Sequence, residues 1–76
     1  MNDKYCLITF KSITYAIQFE KIIKENNISI KLIPVPRSIS ASCGMCGKFE
    51  IEKKQLILDI CTKNNIKFED VFEFNI

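Results

Sequence analysis

The tripeptide Asn26-Asn27-Ile28 recurs as Asn64-Asn65-Ile66, 38 residues later and half of a 76-residue chain away. At both places it separates a stretch of helical periodicity from an extended apolar one. Asparagine tolerates left-handed backbone and loses little by leaving a helix, so each Asn-Asn pair reads as a helix stop. Before the first stop, Tyr5-Cys6-Leu7-Ile8-Thr9-Phe10 reads as a buried strand and Ser12 offers a hydroxyl cap. A helix is then expected from Ile13 to Glu25, with Ile13, Ala16, Phe19, Ile22 and Ile23 on its apolar face. After the stop, Ile28 to Ile33 alternates as a second strand, which Pro34 and Pro36 end because neither can donate a ladder hydrogen bond. A third strand is expected from Cys46 or Gly47 to Ile51. Glu52 to Lys63 reads as a helix with Leu56, Ile57, Ile60 and Cys61 inward, and Phe68 to Phe74 as a last strand with Phe68, Phe72 and Phe74 on one face.

The order βαββαβ, halved by the echo, predicts an α+β, ferredoxin-like split βαβ fold: a four-stranded antiparallel sheet with two helices on one face. The first and third strands are then central and the second and fourth are edges. Apolar groups such as Ile33 and Val71 leave homodimerisation through the uncovered side open. A chain this short buries only roughly 60% of the surface it exposes when unfolded, so residues 1–76 are expected to form one domain with no enclosed cofactor cavity. Function belongs on its surface.

Several classes of function drop out. No window approaches the ~20 apolar residues that cross a bilayer, and the opening residues lack a signal-peptide pattern, so a soluble, cytoplasmic protein without a membrane partner is expected. The formal net charge of +2 is too small for a nucleic-acid footprint. The third strand, Cys46-Gly47-Lys48-Phe49-Glu50-Ile51, also lacks the basic and aromatic pattern of an RNA-binding sheet. Residues 1–48 carry 7 basic and 3 acidic side chains, the remainder 4 and 6. That asymmetry fits solvated faces, or electrostatic docking to an acidic partner or anionic ligand. With no histidine, any chemistry rests on thiols, carboxylates or lysines.

The four cysteines are not equivalent. Cys6 and Cys61 fall inside expected regular elements and read as small buried hydrophobes. Cys43 and Cys46 lie in the glycine-bearing segment Ser42-Cys43-Gly44-Met45-Cys46-Gly47. Their spacing suits a disulfide, a soft metal, or one thiol resolving an adduct on the other. Gly44 can enter backbone closed to other residues and bring amides near a sulfur, and Gly47 permits a sharp entry into the third strand. Arg37 can favour a Cys43 thiolate, or pair with an oxyanion. Ser40 and Ser42 can cap a turn or donate to an anion, and Lys11 with Ser12 at the first helix entrance can complete an anion site. Met45 reads as an apolar anchor for the loop. A metallochaperone places its thiols between the first strand and first helix, where this chain has Phe10-Lys11-Ser12, and a thioredoxin-like pair precedes a helix rather than a strand.

Leu32-Ile33-Pro34-Val35-Pro36-Arg37, followed by Ile39-Ser40-Ala41-Ser42-Cys43-Gly44, resembles the selenium/sulfur (Se/S) carrier protein-like family, a small bacterial domain. The resemblance runs over nearly the whole chain and is most specific at Pro34-Val35-Pro36-Arg37 and Ser42-Cys43-Gly44. It implies a carrier of activated sulfur or selenium, with Cys43 matching the characteristic cysteine and Arg37 its nearby arginine. Cys46 departs from the aliphatic residue commoner after that Cys-Gly, which leaves it as a resolving thiol, an assisting ligand or an extra thiol. The expected protein is thus a carrier or accessory rather than a self-contained enzyme. It serves donor and acceptor proteins and holds no cofactor beyond covalently carried sulfur or selenium. The competing readings are a small thiol–disulfide redox protein and a noncatalytic dimeric or metal-binding module, in which Cys43 and Cys46 are the metal ligands.

Overall fold

The computed structural model describes residues 4–39 and 43–75. In chain order the elements are β1 (Lys4–Thr9), α1 (Ile13–Glu25), β2 (Lys31–Pro34), β3 (Met45–Glu50), a 3-10 turn (Ile51–Lys53), α2 (Lys54–Lys63) and β4 (Asp70–Asn75). The strands form one sheet in the order β2-β3-β1-β4, and every neighbouring pair is antiparallel. This is the expected α+β, ferredoxin-like arrangement, with β1 and β3 central and β2 and β4 at the edges.

Strand alternation sorts the side chains into two layers. On the helix side, Cys6 and Ile8 of β1 and Phe49 of β3 pack with Ala16, Phe19 and Ile23 of α1 and with Ile57, Ile60 and Cys61 of α2. On the other side, Leu7 and Cys46 form a second cluster with Tyr5, Ile33, Phe72 and Phe74, joined by Val35 and Ile39 from the β2–β3 connection. Tyr5 and Phe74, cross-strand partners, stack with ring centroids 5.3 Å apart, and the Lys48 ammonium lies 4.6 Å from the Tyr5 ring centre. The face without helices therefore has an apolar layer of its own.

The sequence echo has a shared geometry. Among the described residues, Asn27 and Asn65 are the non-glycine residues with positive φ, 60° and 54°. At the end of α1 the Ile28 N–H donates to the Ile23 carbonyl (3.3 Å) and the Asn27 N–H to that of Lys24 (2.9 Å). At the end of α2 the Ile66 N–H donates to Cys61 (2.9 Å) and the Asn65 N–H to Thr62 (3.4 Å). Both are Schellman caps, and their closing contacts, Ile28 with Ile23 and Ile66 with Cys61, join buried residues of one core. The Asn26 and Asn64 amides add side-chain bonds to the carbonyls four residues back.

Several boundaries differ from expectation. Ile28 and Ile30 are buried, but ladder pairing begins only at Lys31, because the Schellman cap occupies the Ile28 N–H. Pro34 is the last residue of β2 rather than a residue beyond it, which an edge strand allows. Ser12 stands at the N-cap with extended backbone but makes no side-chain capping bond. Ile13 and Leu56 face outward, 48% and 47% exposed, because α1 and α2 each turn a narrower stripe to the sheet. Phe68 precedes β4, outside its alternation, and is 40% exposed. Val71 packs on the helix-side core, opposite Ile8, and not on the face that holds Ile33.

Candidate functional site

The end of β1 gathers three connections. Phe10 follows β1, and its carbonyl accepts the Cys43 N–H at 3.2 Å. The Thr9 carbonyl accepts the Glu69 N–H at 2.6 Å, while the buried Thr9 hydroxyl accepts the Asp70 N–H at 3.1 Å and donates to the Asp70 carbonyl at 3.4 Å. Because β3 and β4 both run antiparallel to β1, their first residues must meet where β1 ends. Cys43 is thereby pinned at the sheet end where α1 starts. The Gly44 carbonyl accepts the Val35 N–H at 3.0 Å, which closes the β2–β3 connection behind it.

The two sequence-neighbouring thiols do not share a face. Cys43 packs into the helix-side core, whereas Cys46, inside β3 opposite Thr9 and Ile33, belongs to the cluster on the other side of the sheet. Cys43 lies in a bend two residues before β3, tied to Phe10, and Cys46 is the second residue of the strand, so the two sulfurs enter different layers. All four cysteines are free thiols. Cys43 retains 6% exposure against 0% for Cys6 and Cys46 and 1% for Cys61. Burial pushes the Cys61 thiol up to about 11. The Cys46 thiol is raised by burial first and by Cys43 second. Cys6 is raised by burial and then by Glu73, with Lys54 opposing. These three stay protonated at neutral pH.

The other expected residues fall into place unevenly. Arg37 is exposed on the turn closed by the Ile39 N–H to the Pro36 carbonyl, 3.0 Å. Ser40 and Ser42 lie outside the described residues. Gly44 does not use left-handed backbone, and a Cβ there would meet nothing within 4 Å, so its expected special conformation is not found. Gly47 is required for a different reason than expected. It sits within β3, and a Cβ would lie 2.7 Å from Phe19 Cε2 and 3.0 Å from Ile8 Cγ2. Met45 packs on the helix-side core as an anchor.

Lys11 reaches a site that the linear pattern does not reveal. With Tyr15, Ile66, Lys67 and Phe68 it lines a cleft of ≈ 480 Å³ between the start of α1 and the α2–β4 connection. Tyr15, Lys67 and Phe68 carry no motif; only the topology, which brings the start of β4 beside the end of β1, assembles them. Ser12 is half-buried at the same helix start. Among the described residues, no group of three or more histidine, cysteine or carboxylate side chains is arranged to hold a metal ion. Nor is any described helix long and apolar enough to cross a membrane.

A model of the family described as "Putative Se/S carrier protein-like" matches residues 5–73, a span from β1 into β4 that includes Arg37 and Cys43. No curated protein and no solved structure gave a match. A family model that follows nearly the whole ferredoxin-like unit leaves one assignment: the chain belongs to the Se/S carrier protein-like family.

Proposed function

We propose that the protein carries sulfur or selenium on Cys43. The observation that carries this reading is the contrast among the four thiols: Cys43 alone lies in a connection and keeps some exposure, and the other three sit in regular elements at 0–1%. In the loading step, the Cys43 thiolate attacks the terminal sulfur of a donor persulfide. The donor S–S bond breaks, its thiolate leaves with the electron pair, and Cys43 becomes the persulfide. A partner nucleophile unloads it by the same displacement, and a selenium adduct follows the same balance. Arg37, on the exposed turn ahead of Cys43, supplies positive charge for the adduct anion.

Cys46 enters only after rearrangement. To resolve the adduct it must lose the proton that burial holds on it and leave its pairing with Thr9 and Ile33. A disulfide needs Cα atoms within roughly 7 Å and sulfurs turned toward each other, whereas these two sulfurs pack on opposite sides of the sheet. That requirement favours carriage over a dithiol–disulfide cycle, and over a metal shared by both sulfurs.

Intact-mass spectrometry after exposure to a small persulfide tests the reading. Wild type and Cys46→Ser should each gain one sulfur atom, and Cys43→Ser none. Equal labelling of wild type and Cys43→Ser would refute it.

A further inference from the structure

The thiol chemistry leaves the cleft of Lys11, Tyr15, Ile66, Lys67 and Phe68 unused. Its two ammonium groups come from different connections, and no carboxylate is among its lining residues. Two lysines and no carboxylate at the rim of one cleft favour an anion there. The flanking first turn of α1 contains no acidic residue, and the Ser12 hydroxyl makes no capping bond there. The walls are apolar: Tyr15 and Ile66 pack on the core that also holds Cys43, and Phe68 is 40% exposed. Lys11 directly follows Phe10, whose carbonyl holds the Cys43 N–H. A cationic, aromatic-walled cleft thus begins one residue beyond the carbonyl that holds Cys43, which is not itself among the lining residues.

We propose that this cleft binds the donor itself, as a small anion bearing a transferable sulfur or selenium atom. The proposal rests on the carrier reading and supplies its substrate class: a sulfane-sulfur oxyanion, or its selenium counterpart, held by Lys11 and Lys67. With thiosulfate, the Cys43 thiolate attacks the outer sulfur, the S–S bond to the sulfonate breaks, and sulfite leaves with the electron pair. Cys43 becomes a persulfide and the total charge is unchanged, so no oxidant or reductant is needed.

Binding is tested apart from transfer. Isotope-labelled Cys43→Ser protein, titrated with thiosulfate and with sulfate as the unreactive oxyanion, should show saturable amide shifts at Lys11, Tyr15, Lys67 and Phe68. The shifts should vanish in 1 M salt, where the Debye length is about 3 Å. Lys11→Gln combined with Lys67→Gln should weaken binding by about tenfold and slow sulfur transfer from thiosulfate to Cys43 by a similar factor. The same variant should react with uncharged 4,4′-dithiodipyridine at the wild-type rate, which shows the thiol intact. Absence of saturable shifts in the cleft, or equal transfer from thiosulfate with and without the two lysines, overturns the proposal. If small persulfides load Cys43 while the cleft proves silent, carriage stands and the donor site falls. If thiosulfate fills the cleft while no donor loads Cys43, carriage falls and takes the donor role of the cleft with it.

Discussion

Gly47→Ala tests the packing that seats α1 on the sheet. The added Cβ would lie 2.7 Å from Phe19 Cε2 and 3.0 Å from Ile8 Cγ2, where carbon atoms prefer about 3.5–4.0 Å. Neither neighbour yields freely. Phe19 and Ile8 are both fully buried, and Phe19 packs on Phe10 with ring centroids 5.2 Å apart. The overlap must be relieved by moving α1 off β3 or by forcing rings from their rotamers, which costs about 1–3 kcal/mol. At roughly 4–8 °C per kcal/mol for a domain of this size, a loss of about 2 kcal/mol lowers Tm by about 8–16 °C. Urea unfolding followed by circular dichroism should show a lower midpoint at an unchanged m-value. Phe19→Leu in the Gly47→Ala background should cost less than Phe19→Leu alone, because the smaller side chain relieves the overlap. A Gly47→Ala protein as stable as wild type, or strict additivity of the pair, would refute this packing argument.

The helix stops make a second prediction. Asn27→Ala and Asn65→Ala should each destabilise by about 1 kcal/mol, since alanine pays the left-handed backbone cost in full, whereas glycine at either position should be neutral or slightly stabilising in the same urea assay. A third concerns alkaline pH. The Cys61 thiol is held up to about 11 in the fold from an ordinary 9.0, so the unfolded chain releases its proton first. The stability this provides is whole below pH 9 and is lost as pH rises toward 11. Chemical denaturation across that window should show a shallower decline in Cys61→Ala than in wild type, with Cys6, Cys46 and Lys54, shifted in the same direction, contributing to the remaining slope.

Element order was legible because each helix ends on a local chemical instruction. Asn27 and Asn65 need nothing distant to adopt positive φ, whereas residues 5–10 read only as a buried strand, and their pairing is what sorts Cys6 from Leu7. Ile13 and Leu56 misled for the opposite reason: helical spacing is local, but the width of the stripe that meets the sheet depends on how each helix sits. Gly47 shows the same limit, since its need for hydrogen in place of Cβ comes from a ring 28 positions earlier in the chain. At the candidate site, sequence singled out Cys43 and Cys46 together. Only the pairing of Cys46 with Thr9 and Ile33 separates them. Lys67 and Phe68 gave no linear signal, because their relation to Lys11 exists only once β4 has paired with β1.

The placement of Cys43 and Cys46 in different layers makes the sheet a steric barrier between two thiols. The ladder that holds Cys46 and the Cys43 N–H bond to the Phe10 carbonyl keep the sulfurs on separate sides, so any disulfide trapped between them would record an opening of that strand end. Its rate of formation under a fixed oxidant would act as a clock for fraying at the β2–β3 margin. A partner that grips this margin would slow the clock without touching either sulfur.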